Sequence, residues 1–215
     1  MTKEAAIKYV PRRGRPSAKQ TAAINAAILT TARRMFLENG FDATAMEAVA
    51  FEIGASKGTI YDRYPSKEAL FHAVVEESVA RWSAASAADD NKLTNDLSQR
   101  LRHHARVIAQ SQNNPEIQSF QRLIISNADR FPSLARSMHE VGALYIIGLI
   151  AKDITEAAAR DGVPVSQPED VANRIVSGMN GWYLQQSLVR SVTLDELIAY
   201  GERTVDLLMA ARPHW

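Results

Sequence analysis

Apolar residues recur three or four positions apart along almost the whole chain, and no stretch alternates apolar and polar residues as a half-buried strand would. The pattern predicts an all-α protein of about nine helices, with no internal repeat. The first helix is expected over about 18–39: Ile24, Ile28, Ala32, Met35 and Phe36 form its buried stripe, Ser17 and Gln20 have capping-box spacing, and Gly40 ends it. The second opens at Thr44, with Glu47 three residues later as a second capping box, and turns Met46, Val49, Ala50 and Ile53 inward. Phe41, just before it, reads as a core plug. A long fourth helix over about 66–85 buries Leu70, Phe71, Val74, Val75 and Val79, and the run SAASAADDN at 83–91 reads as its frayed end and a linker. Five more helices are expected at about 93–110, 114–129, 133–160, 168–190 and 193–211, punctuated by Asn114-Pro115, Phe131-Pro132, Asp161-Gly162 and a third capping box at Thr193 and Glu196. Five such helices suit a bundle.

Between the second and fourth helices lies GASKGTIYDRYPSK, residues 54–67. Gly54 can take the left-handed backbone that ends a helix, Ala55 fits a tight turn, and Ser56 is a good N-cap. Lys57, Gly58 and Thr59 then form a first turn whose unpaired N–H groups suit phosphate. Ile60 and Tyr64 anchor this third helix, Tyr61 stands to one side, Pro65 stops it and Ser66 caps the next. Helix, tight turn and short polar-fronted helix make a helix-turn-helix, its second helix shaped for a major groove.

This run, with FLENGFDATAMEAVAFEIG (36–54) before it and SKEALF (66–71) after it, resembles the DNA-binding signature of the TetR family of transcription regulators. The motif is long, ungapped and covers about the first third of the chain. FQRLIISNADRFPSLA, residues 120–135, resembles the C-terminal domain of one TetR subgroup. The resemblance implies a basic arm over 1–17, a three-helix DNA-binding domain over 18–66, a connecting helix over 67–90, and a C-terminal helical bundle for ligand binding and dimerisation over 91–215. It implies double-stranded DNA as partner, in the form of a palindromic operator, a small-molecule effector, and a homodimer.

Roles in the helix-turn-helix follow from residue chemistry. Lys57 can reach guanine acceptors and Thr59 a thymine methyl or a phosphate. Gly58 permits close backbone approach, Tyr61 projects over the backbone or a base edge, and Tyr64 and Lys67 clamp phosphate. Core packing alone is the alternative for Tyr64. Ser56 and Thr44 stand at helix starts, and the resemblance implies a phosphate contact at Thr44. Asp62 is repelled by phosphate; it can accept from cytosine N4, but is expected to pair with Arg63 or a neighbour and face away. Arg33 and Arg34 lie off the buried stripe and are expected to be solvated or ion-paired.

In the C-terminal half, Gly178 and Gly181 allow another backbone to approach, and Leu184, Leu188, Ile198, Val205 and Leu208 offer more apolar surface than one packing face needs. By resemblance these two last helices pair with their copies in a dimer; ordinary core is the alternative. Candidate effector-binding residues are Phe120, Arg122, Met138, Tyr145, Met179, Trp182 and Tyr183, although each alone is more commonly core. Gly142 and Gly148 can permit a kink in the helix over 133–160. The effector that such walls suit is largely apolar and aromatic.

Composition removes other classes. Across 215 residues, 46% are hydrophobic and 23% charged, as in ordinary globular proteins. The absence of cysteine excludes disulfides, thiolate zinc sites and thiol redox sensing. No apolar run approaches the ~18 residues of a membrane span, and MTKEAAIKYV lacks a signal-peptide core, so a cytoplasmic protein is expected. His103 and His104 are adjacent and diverge on a helix, and no phosphate loop, nucleophile elbow or HExxH occurs. An enzyme, a cofactor and a metal are therefore not expected. A helical ligand-binding or catalytic protein with a vestigial helix-turn-helix is the alternative to a regulator, and an activator or architectural binder the alternative to a repressor.

Net charge is only +1, so an electrostatic signal for nucleic acid has to be local. It is local: residues 1–19 carry six basic side chains against a single acid, and PRRGRPS places Arg12, Arg13 and Arg15 in an extended arm. Beside a helix-turn-helix the expected role is contact with DNA; a solvated basic tail that aids solubility is the alternative. Replacing Arg12, Arg13 and Arg15 with Ala is expected to weaken binding to specific and random DNA by similar factors. If all three neutralise phosphates, the log–log salt slope becomes shallower by up to ~2.7 per subunit; fluorescence anisotropy across a salt series measures it, and an unchanged slope assigns the arm to solvent.

Overall fold

The computed structural model describes residues 18–87 and 94–215. Arg12, Arg13, Arg15 and the Ser17 cap lie outside them. Among the described residues every regular element is helical: α1 Ala18–Ala43, α2 Met46–Glu52, α3 Lys57–Tyr61, α4 Lys67–Ala87, α5 Leu97–Gln112, α6 Pro115–Ile125, α7 Pro132–Met138, a π-helical turn His139–Leu144, α8 Tyr145–Asp161, α9 Pro168–Ser187, α10 Leu194–Ala210 and a 3-10 turn Arg212–His214. The chain divides into two compact units, one holding the described residues to Arg81 with Ser119–Leu134, the other Trp82–Gln118 with Ala135–Trp215. The expected boundary at 91 thus misassigns 119–134, which count with the first unit.

The first unit is built on the stripe the sequence predicts. Ile24, Ile28, Ala32 and Phe36 of α1 are buried, as are Met46, Val49 and Ala50 of α2, Ile60 of α3, and Leu70, Phe71, Val74 and Val75 of α4. Gly40 interrupts α1 with φ 80° and ψ 174°, a left-handed φ that a side chain rarely tolerates. That break turns Phe41 into a cluster with Phe36 at 5.8 Å and Phe71 at 5.2 Å between ring centroids. Phe131 completes it, 4.5 Å from Phe41. Its ring is the physical reason that 119–134 belong to this unit. The helix expected to run to about 129 ends earlier, at Ile125, and turns lead to Phe131 before Pro132 opens α7. Arg130 pairs with Asp42 and lies over the Phe41 ring, its guanidinium carbon 5.2 Å from the centroid.

Thr44 corrects an expectation. The N-cap of α2 is Ala45 and no side chain caps it. The Thr44 hydroxyl points the other way, shared between the carbonyls of Gly40 at 2.8 Å and Met35 at 3.1 Å, and the residue is buried. It secures the break after α1, where carbonyls freed by Gly40 need a donor. Its side chain is therefore turned away from any phosphate. Arg33 and Arg34 are ion-paired as expected, with Glu77 and with Glu38 and Glu52 respectively.

In the second unit α5, α8, α9 and α10 enclose a core that includes Leu101, Ile150, Ile154, Ile175, Met179, Leu197 and Val205. Gly201 of α10 explains the closest approach: a Cβ there would meet Met179 Cε at 2.9 Å and Ala105 Cβ at 3.0 Å. Met179 and Val205, candidates for effector binding and dimerisation, are both fully buried in this core. The caps agree with the sequence: Thr193 and Glu196 form a reciprocal capping box, Asn114 accepts from the Glu116 amide, and Gly162 ends α8 in the left-handed region. The predicted helix over 133–160 is present as α7 and α8 joined by a π-helical turn, with Gly142 inside that turn.

One buried polar group crosses this core. Asp153 on α8 takes a 2.6 Å bond from Arg100 and lies 2.8 Å from His104 Nε2, both on α5. Burial pushes the Asp153 carboxyl up, but the hydrogen bonds and charges of His104 and Arg100 outweigh it and hold the carboxyl below its ordinary value. A depressed folded-state pKa stabilises the fold above the ordinary Asp value of ~3.9 and ceases to do so as pH falls through the folded value. Asp153→Ala, leaving Arg100 and His104 without their acceptor, is expected to destabilise by ~3–5 kcal/mol at neutral pH. In denaturation series the gap from the parent narrows on acidification below ~3.9.

Candidate nucleic-acid interface

The turn between α2 and α3 forms as its residue types require. Gly54 sits at φ 71°. The Ala55 amide closes on the Ala50 carbonyl at 2.9 Å, and Ser56 caps α3 by accepting from the Thr59 amide at 3.1 Å. Ile60 is fully buried and pins the five-residue α3 from behind. Ser56, Lys57 and Gly58 are exposed in front. Ser66 caps α4 by accepting from the Ala69 amide. A short helix fixed at its cap and its rear has little freedom, so its front is presented in a set orientation.

The side chains on that front are already engaged. Lys57 Nζ lies 2.7 Å from Glu47 Oε1, and the Tyr61 hydroxyl donates to the same oxygen at 3.2 Å. Lys57 also stands over the Tyr61 ring, 5.4 Å from its centroid. The Lys57 ammonium, and secondly the backbone amides at the start of α2, hold the Glu47 carboxyl below its usual range; Glu47 in turn raises Lys57. Sequence reasoning placed Glu47 in a capping box and missed this contact, because residues ten apart on two helices share no periodicity. The signal that was available is that both occupy the first turns of two consecutive short helices joined by a tight turn.

Lys67 donates to the Asp42 carbonyl at 3.0 Å and lies 4.6 Å above the Phe41 ring centroid. Arg130 joins it there, a cation the sequence did not nominate. Arg63 folds back onto the Thr59 carbonyl rather than onto Asp62, which is exposed. Tyr64 is half-buried, and burial pushes its phenol up against a smaller opposing pull from Arg63. Tyr64 therefore combines the packing and the surface readings. The first unit thus gathers Ser56, Lys57, Gly58, Thr59, Tyr61, Tyr64 and Lys67 on or around one short helix, and sets Thr44 apart.

The effector candidates are spread over both units. Phe120 and Arg122 belong to the first unit, and Met138, Tyr145, Met179, Trp182 and Tyr183 to the second. Arg122 is exposed and donates to Ser119, and Tyr145 is 47% exposed. Trp182 stacks on Tyr200 at 4.6 Å. Of the dimer candidates, Leu184 and Leu188 are 54% and 78% exposed, while Gly178, Gly181, Ile198 and Leu208 are half-buried. Val189 and Leu207, not nominated by the sequence, are more exposed than Leu184. Among the described residues no cluster of three or more His, Cys, Asp or Glu is arranged for a metal, and no helix is long and apolar enough to cross a membrane.

Comparison with known proteins agrees with this geometry. Residues 28–74 match the sequence model of bacterial regulatory proteins of the tetR family, and residues 99–211 that of the AefR-like transcriptional repressor C-terminal domain. The regulator UidR of Escherichia coli K12 is 41% identical over 59 residues, 26% of this chain and 30% of UidR, so the match spans under a third of that relative. Two solved structures cover far more. A TetR-family regulator from Mesorhizobium loti superposes with a TM-score of 0.76 at 25% identity over 89% of this chain and 98% of its own. The flavonoid-responsive regulator FrrA does so with 0.71 at 29% identity over 88% and 97%. With matched sequence in both halves and one fold throughout, the chain belongs to the tetR family of bacterial regulatory proteins, with a C-terminal domain of the AefR-like repressor type.

Proposed function

We propose that the protein is a homodimeric transcriptional repressor that holds a palindromic operator and leaves it when a small, largely apolar aromatic effector binds. The carrying observation is the exposed front of α3: a capped, rear-pinned helix with Lys57 and Tyr61 side by side and no part in the core. A vestigial helix-turn-helix has no reason to keep an exposed basic and aromatic pair on a helix so short. Dimerisation is supported by Leu184 on α9, Leu188 and Val189 in the turn just after it, and Leu207 on α10, large apolar side chains left in water. It is also required physically, since one recognition helix reads too few base pairs for selectivity.

The effector is assigned to the second unit. Gln112 is buried; its Nε2 donates to Asn180, while its Oε1 has no hydrogen-bond partner among the described residues. Exchanging the amide's two ends leaves a buried polar atom unmatched in the same way. Asn180 stands one turn from Tyr183 on α9, and Trp182 stacks on Tyr200 nearby in sequence. Flat aromatic walls with an unmatched amide suit a hydroxylated aromatic compound, and the flavonoid response in the name of FrrA supports that class. Effector and DNA then favour different states of one dimer, with a coupling of ~1–3 kcal/mol, about 5- to 150-fold. The chain crosses between its two units within α4, α6 and α7, which supplies the covalent path for that coupling.

Three measurements test this reading. Lys57→Ala and Tyr61→Ala are each expected to cost ~1–3 kcal/mol of operator affinity while changing random-DNA binding much less. Footprints of the parent are expected to show two half-sites about one helical turn, ~34–36 Å, apart or a little more; a single asymmetric site held by a monomer overturns the proposal. In a titration with a hydroxylated flavonoid, Trp182→Ala is expected to shift the release curve to higher concentration and leave ligand-free operator binding intact. An unmoved curve in a compound that releases the parent removes Trp182 from the site.

A further inference from the structure

Among the described residues, Glu47 is an acid in direct contact with the exposed front of α3. It stands in the first turn of α2, is exposed, and accepts from both Lys57 and Tyr61 through a single oxygen. An ion pair this exposed does little for stability, because water screens it and two mobile side chains have to be held still. Its carboxylate is also poorly placed for DNA binding, since it would be repelled by any phosphate that approaches Lys57. An acid in the first turn of α2 favours the helix start, but that role does not require the contacts to Lys57 and Tyr61, and plain DNA affinity does not account for them either.

We propose that Glu47 is a specificity-determining restraint: its carboxylate occupies Lys57 and Tyr61 as a phosphate would, and so withholds them from random DNA. On a random duplex, Lys57 can only exchange one anionic oxygen for another, against repulsion from Glu47. On the operator, Lys57 and Tyr61 meet base-edge acceptors whose geometry is specific, and those contacts offset the loss of the carboxylate. Because Lys57 is already neutralised, it adds little to counterion release on random DNA. The pair lowers the background of non-specific binding more than it lowers operator binding, and that ratio governs how a regulator finds its site. The inference rests on the DNA-reading role proposed above.

The test uses the full chain, a duplex that it recovers from a randomised pool, and a mixed-sequence duplex of equal length. Glu47→Gln keeps the side chain's shape and removes its charge, and an unchanged thermal midpoint confirms the fold. On the mixed duplex Glu47→Gln is expected to bind about threefold more tightly per subunit, roughly tenfold for a dimer. Its log–log salt slope is expected to steepen by ~0.9 per subunit. Affinity for the recovered duplex changes less, so the specificity ratio falls. In a Lys57→Gln background the same substitution is expected to leave the slope unaltered. An unchanged ratio and slope overturns the restraint, as does steepening that persists without Lys57, which reduces Glu47 to general repulsion. Loss of affinity for the recovered duplex alone also overturns it and makes Glu47 a direct base contact. Failure of the parent to recover any duplex is a different result, and counts against the DNA-reading role itself.

Discussion

The rings of Phe36, Phe41, Phe71 and Phe131 are the contact on which the DNA-facing unit depends. Phe41 is within 6 Å of each of the other three by centroid distance, at 5.8, 5.2 and 4.5 Å. It can be there only because Gly40 breaks α1 with a positive φ and Thr44 secures the carbonyls that the break releases. The cluster joins α1, α4 and the segment after α6, which are far apart in sequence. Aromatic pairs of this kind add ~0.5–1.5 kcal/mol each beyond their buried area. The cluster also carries charge on its outer side: Lys67 and Arg130 lie over the Phe41 face, where the ring's negative quadrupole favours cations. Packing and surface electrostatics are therefore set by one ring.

The recognition helix obeys a different economy. At five residues it is too short to be stable by itself, and everything that holds it is behind or beside it: the Ser56 cap, the Gly54 turn and the buried Ile60. Its front is left for chemistry, and the balance of charges there matters more than the total. A chain with a net charge of +1 binds no polyanion by its overall field. Local cations have to do so, and Glu47 shows that even these are moderated by a neighbouring acid. Arg33 and Arg34, by contrast, are consumed by ion pairs with Glu77, Glu38 and Glu52.

The second unit divides its surfaces sharply. Where α10 meets α5 and α9, Gly201 admits Met179 and Ala105 so closely that one methyl group would not fit without movement. Outside that contact, Leu184, Leu188, Val189 and Leu207 remain in water. The unit thus combines close packing on one side with large apolar side chains exposed on the other. The Asp153, His104 and Arg100 group adds direction to a core that apolar packing alone leaves free to slide, since its hydrogen bonds have one geometry.

Local features were legible in the sequence. The helical pattern, Gly40, Gly54 and Gly162 as stops, Ser56, Asn114 and Thr193 as caps, and the exposed front of α3 all follow from residues within one or two turns of each other, where backbone sterics and capping act. The motif from 36 to 71 carried the family for the same reason: its jobs are local. Contacts between distant segments were not legible. Thr44 had the spacing of a cap, yet its hydroxyl serves the carbonyls behind it, because the geometry of the Gly40 break decides where an acceptor lies. The burial of Val205 and Met179 depends on how α10, α5 and α9 pack, and helical periodicity names a face without naming its partner. Phe131 read as a helix breaker, and only the fold brings its ring to Phe41. Glu47 and Lys57 each had a local role, and only the angle of the turn between α2 and α3 joins them.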